Sequence, residues 1–175
     1  MRCFYSGGIV GTELDLLMVQ LLRHGVTLTS LVDFFKTIVP PKSISPIPSV
    51  VERWKQDNHH LALFSSETMT AVTYFGIFVD TLGERLPDSL QPYLQSFRLL
   101  RDCCDILYMG DEVVNPVGMG LLAQKLEAHH LAFRQLDGFA AEVKPKWHFS
   151  LHVPDCLLRI KFLGSLYVPV GFRTS

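Results

Sequence analysis

"SSETMTAVTYFGIFVDTLGERLP", residues 65–87, decides the fold class. Ser65 or Ser66 can cap a helix here, Glu67 sits in its first turn, and Leu86–Pro87 closes it. From Met69 to Leu82 the stretch is apolar almost all round. A helix without a polar face must be surrounded by other helices, so this one is expected at the centre of a bundle. Its most apolar run, "MTAVTYFGIFV" (69–79), is too short to span a bilayer.

Helical signals continue on both sides. Upstream, "TELDLLMVQLLRHG" (12–25) has Thr12 as an expected N-cap, with Asp15 near the positive end. Leu14, Leu17, Met18, Leu21 and Leu22 follow helical spacing, and Gly25 suits the left-handed position after the last turn. "TLTSLVDFFKTIV" (27–39) starts a second helix after a short turn, which suggests a helical hairpin. Pro40, Pro41, Pro46 and Pro48 then make 39–49 a loop around one core, followed by a short helix at "VVERWKQ" (50–56).

Downstream, "PDSLQPYLQSFRLLRDCCDILYMGD" (87–111) is a helix capped by Asp88 or Ser89, with Pro92 in its first turn. Its stripe is Tyr93, Phe97, Leu100, Cys104 and Leu107. Asn115–Pro116 opens another helix, with Leu122, Leu126, His129/His130 and Phe133 as its stripe. The expectation is one all-α domain over residues 1–175, an irregular multi-helix bundle, with 165–175 a loose tail.

Composition agrees with a globular chain: of 175 residues, 48% are hydrophobic and 19% charged. The net charge of −1 gives no general attraction to nucleic acid or an anionic membrane. Residues 1–124 carry nine Lys/Arg against thirteen Asp/Glu, and residues 125–175 carry seven against four, too small an excess for a phosphate-binding face. Cys3, Cys103, Cys104 and Cys156 contain no CxxC spacing, and four cysteines in a chain of this size do not suggest a secreted disulfide framework. An intracellular setting is expected, since "MRCFYSGGIVG" (1–11) lacks the long apolar segment of a signal peptide.

The chemistry-bearing stretch is "KPKWHFSLHVPD" (144–155), which is open to two readings. Trp147, Phe149, Leu151 and Val153 alternate with His148, Ser150 and His152, the period of a strand. Pro145 nevertheless suits the first position of a helix, and His148 to His152 is one helical turn. The histidines would stand roughly 6 Å apart in a helix and about 13 Å apart in a strand. Residues 146–153 therefore stay open between helical and extended, and only the helix lets the pair share a metal ion. Pro154 is expected to end any such helix at Val153, and Asp155 to cap a last short helix, "CLLRIKFLG" (156–164).

A catalytic zinc site of this spacing would carry a glutamate between its histidines, and here Phe149, Ser150 and Leu151 stand there. Cys156 is a weak third-ligand candidate beside His148 and His152, and no metal or other cofactor is expected. The bland reading packs one imidazole in the core and leaves the other in water. His59–His60 and His129–His130 read as helix-surface or loop residues, and Cys103–Cys104 as buried structural thiols. There is no GxSxG, P-loop or GxGxxG, and the aspartates are scattered singly.

The order of "MRCFYSGGIVGTELDLLMVQLLRHGVTL" (1–28), "SFRLLRDCCDILYMGD" (96–111), "LLAQKLEAHHLAFRQL" (121–136) and "KPKWHFSLHVPDCLLRI" (144–160) resembles one region of eukaryotic cut-and-paste transposases. The group is Kyakuja-Dileera-Zisupton-like and CACTA-like, in the divergent form abundant in dinoflagellate genomes. Its pattern is roughly H-x-x-F followed by PK-x-H-x-x-x-H-x-P. His130 and Phe133 match the first element; Lys146, His148, His152 and Pro154 match the second.

The resemblance implies a relative of RNase H-like DDE/D enzymes, whose acidic side chains hold two metal ions at the phosphodiester. It also implies that this chain corresponds to the helical insertion between those acidic residues. "SLYVPVGFRTS" (165–175) departs from the family where the last catalytic glutamate is expected. The expectation is an inert fragment or degenerate relative, not an enzyme, with nuclear localisation by resemblance alone. Binding of nucleic acid or membrane is not expected of this segment by itself. Other classes stay open: a helical interaction module, using exposed apolar faces for a protein partner or self-association, and a small zinc-binding domain.

Overall fold

The computed structural model describes residues 8–39, 47–56, 65–136 and 145–166. Among these there are eight α-helices and no strand: α1 (Ile9–Arg23), α2 (Leu28–Lys36), α3 (Ile47–Gln56), α4 (Ser65–Leu82), α5 (Gln91–Tyr108), α6 (Pro116–Arg134), α7 (Pro145–Ser150) and α8 (Val153–Leu166). The fold is an all-α multi-helix bundle. No helix among the described residues is long and apolar enough to cross a membrane.

Helix α4 packs against α1, α2, α3 and α5 on one side but leaves Thr73, Ile77, Asp80 and Thr81 exposed on the other, so it is not enclosed on all sides as its apolar circumference predicts. It buries Ala71, Val72, Tyr74, Phe75, Phe78 and Val79. These meet an aromatic cluster from the neighbouring helices. Phe35 of α2 packs edge-on against Phe75 at 5.1 Å, Phe34 against Phe78 at 5.3 Å, and Phe97 of α5 against Phe75 at 6.5 Å. Such pairs add about 0.5–1.5 kcal/mol each beyond area burial. At the rim of the α4–α5 contact Arg101 pairs with Asp80 at 2.6 Å, and its side chain lies across Gly76. Any Cβ at Gly76 would stand 2.7 Å from Arg101 Cδ.

Helix ends follow local chemistry. Gly25 has φ +89°, and the Val26 and Gly25 amides donate to Leu21 and Leu22 carbonyls, closing α1 with a Schellman turn. Thr27 and Ser30 cap α2 reciprocally, each side chain bonding the other's backbone N–H at 3.1 Å. Asn115 Oδ1 accepts the Gly118 amide at 2.9 Å, with Pro116 at the first position of α6, as the sequence predicts.

Several boundaries differ from the sequence reading. The first helix begins at Ile9 after Gly8, so Thr12 lies inside it and bonds back to the Gly8 carbonyl at 2.9 Å. Asp15 is consequently not in the first turn. The second helix packs mainly on α3 and α4, not as a hairpin on α1. Residues 47–49, assigned to the proline-rich loop, begin α3; proline lacks only an N–H that a first turn leaves unpaired. Residues 40–46 of that loop, His59–His60, residues 1–7, 137–144 and 167–175 lie outside the described residues.

Asp88 and Ser89 fall in a short 3-10 turn, and Leu90 precedes α5. The alternation in 146–153 does not produce a strand: α7 runs to Ser150, and residues 151–152 form a turn. Pro154 does not end a helix but enters the first turn of α8, where its missing N–H costs little, and Asp155 lies beside it rather than at the cap.

Candidate functional site

A buried polar cluster lies where α1, α5 and α6 meet, and α7 closes over it. Ile9, Glu13, Leu17 and Leu21 lie four apart along α1 and are all buried. Glu13 thus turns its carboxylate into the core with 2% of its side chain exposed. Opposite it, Leu122, Leu126, His129 and Phe133 form the buried stripe of α6. His129 Nε2 donates to Glu13 Oε2 at 2.5 Å, and Ser96 Oγ of α5 donates to Glu13 Oε1 at 2.8 Å. A buried carboxylate is tolerated only when its oxygens are occupied in this way.

Trp147 lids this cluster. Its ring stacks on His129 at 5.4 Å and 17°, and it lies 4.1 Å from the Phe133 ring, centroid to centroid. Only 1% of Trp147 is exposed, although α7 has just six residues. His129 Nδ1 and Trp147 Nε1 are buried with no partner among the described residues.

His130 occupies the neighbouring position, half-buried, and reaches α7 by a different atom pair. Ser150 Oγ donates to the Trp147 carbonyl at 2.7 Å, which uses its one proton. The 3.0 Å contact between His130 Nε2 and Ser150 Oγ therefore has the imidazole as donor. Burial pushes the His130 pKa down to about 4, and the neighbouring His129, Arg134 and His148 act in the same direction. His130 is accordingly a neutral link in a chain from imidazole to hydroxyl to carbonyl.

The remaining motif residues divide by burial. Lys146 lies in α7, and Pro154 is buried in the first turn of α8. His148 and His152 are exposed at the corner between α7 and α8. Their rings stand nearly perpendicular at 80°, and their Nε2 atoms are 3.3 Å apart. The turn at residues 151–152 thus brings the two rings into a hydrogen-bond contact, close enough for one ion to replace the shared proton. Cys156 is exposed on α8, and no three His, Cys, Asp or Glu side chains converge on a metal position among the described residues.

One expectation changes. His129 is not a surface histidine; it is fully buried and paired. Glu13, Ser96 and Ser150 went unrecognised as polar core residues, although Glu13 falls in the four-residue register of the α1 stripe. Cys103 and Cys104 are buried free thiols, as expected. Burial, reinforced by the Asp102 and Glu13 charges, pushes the Cys103 thiol up to about 12. No protein-family model, curated protein or solved structure matches the chain.

Proposed function

We propose that the chain is a catalytically inert helical relative of the insertion between the acidic residues of RNase H-like DDE/D transposases. The observation supporting this reading is that the two motif elements meet in space. Phe133 and His130, from the first element, touch Trp147 and Ser150 within the second. Separate short motifs that fold onto one another have a physical reason to occur together. On this reading Phe133, His130 and Pro154 hold the α6–α7–α8 corner and perform no chemistry. Origin in a mobile element and nuclear localisation follow from the same resemblance.

The test is a strand-transfer and nuclease assay on the purified chain with Mg²⁺ or Mn²⁺. No cleavage above a heat-denatured control is expected. Robust cleavage that vanishes on substituting an internal aspartate would overturn the proposal.

A second reading, a metal-binding domain, is favoured by the His148–His152 geometry. Two ligands on a tetrahedral zinc ion at about 2.0–2.1 Å stand roughly 3.3 Å from each other, and the two Nε2 atoms are 3.3 Å apart. Equilibrium dialysis against zinc, with and without His148→Gln, decides it; equal retention by both proteins would remove the reading.

A further inference from the structure

We propose that one zinc ion is held between two copies of this chain, each supplying Nε2 of His148 and His152. This rests on the metal-binding reading and goes beyond it. Among the described residues one copy offers two of the four ligands a closed zinc site takes. No third His, Cys, Asp or Glu converges with the pair among the described residues, and that includes the nearby Cys156 and Asp155.

The pair sits at an outside corner, where a second molecule can approach. Phe149 and Leu151, between the two histidines in sequence, are 62% and 37% exposed. Apolar side chains flanking an incomplete ligand set are what a second copy would cover. A two-fold axis through the ion satisfies the geometry, since a closed symmetric dimer repeats one patch on both subunits. Each chain then contributes one edge of the tetrahedron, and the 3.3 Å separation is already the length of that edge. Imidazole nitrogen is also a suitable donor for zinc, where a surface carboxylate would suit harder ions.

The experiment compares the whole native chain stripped with EDTA and the same chain titrated with zinc alone. Calorimetry reads the stoichiometry and light scattering after gel filtration reads the mass. The expected result is about one zinc per two chains, a doubled mass, and return to monomer with EDTA. His148→Gln and His152→Gln should each stay monomeric and bind zinc at least about tenfold more weakly, while His24→Gln should behave as the native chain.

One zinc per monomer would overturn the shared site while sustaining the metal-binding reading. No zinc binding would overturn both. A dimer that persists in EDTA or in His148→Gln would also overturn the proposal. The stripped and loaded native chain gives the answer even where a variant fails to fold.

Discussion

Glu13 and His129 are 116 residues apart in sequence and joined by a 2.5 Å bond between Oε2 and Nε2 in the core. That contact ties α1 to α6, and Ser96 brings α5 to the same carboxylate. Breaking one side of a buried pair leaves the other charge without compensation. His129→Ala should therefore lower unfolding stability by about 3–5 kcal/mol. Replacing both partners with apolar residues, Glu13→Leu with His129→Leu, should cost less than the sum of the two single changes by about 1–3 kcal/mol. Urea unfolding followed by circular dichroism checks both, and strictly additive losses would show that the two side chains are not coupled.

Trp147 carries a similar burden for α7. Six residues are too few for a helix to be stable alone, so its position depends on tertiary packing. The indole supplies that packing through Phe133 and His129. Trp147→Ala should cost about 3–5 kcal/mol. It should also raise amide hydrogen exchange across α7 while α4 stays protected. Uniform acceleration over both helices would mean that α7 does not behave as a local closure.

Much of this arrangement was legible in the sequence, for reasons that differ between its parts. The apolar character of 69–82 required a helix with a large buried face, and α4 packs on four others while Thr73, Ile77 and Asp80 stay exposed. Asn115–Pro116 and Gly25 mark helix ends because their backbone chemistry is local. The α7–α8 corner was harder: alternating apolar residues in 147–153 satisfy a strand and a short bent helix equally. Only tertiary contacts to α6 separate the two. The Glu13 pairing was not legible either, since nothing local joins residues on helices so distant in the chain. Its trace was the register of Glu13 with Ile9, Leu17 and Leu21.

His130 gives the protein an acid-sensitive contact. Its folded pKa, about 4, lies below the ordinary histidine value of 6.5 given for the free side chain. The unfolded chain therefore takes up a proton as pH falls through 6.5, while the folded chain does not until near pH 4. The stability associated with neutral His130 is complete above about pH 6.5 and declines as pH falls toward 4. Solvent reaches part of this ring, so the loss should not exceed about 2 kcal/mol. His130→Gln should flatten that part of the curve of stability against pH. An unchanged slope in the variant would assign the acid sensitivity to other groups.

The cysteines should differ sharply in reactivity. The thiolate is the attacking species, so a thiol held near pKa 12 has about one molecule in ten thousand ionised at pH 8. Cys103 is in that state, and burial likewise pushes the Cys104 thiol well above its ordinary range. Both also lie on the inner side of α5, where a reagent cannot reach them without opening the core. Cys156 is exposed on α8. Iodoacetamide followed by peptide mass spectrometry should label Cys156 in the native protein, and Cys103 and Cys104 only after urea unfolding. Cys103 should become reactive sooner in His129→Ala than in the native chain, because losing the Glu13 contact loosens the same α1–α5–α6 seam. Labelling of Cys103 and Cys156 at equal rates in the native protein would show that this seam opens freely, and the buried Glu13 pair could not then be what holds it shut.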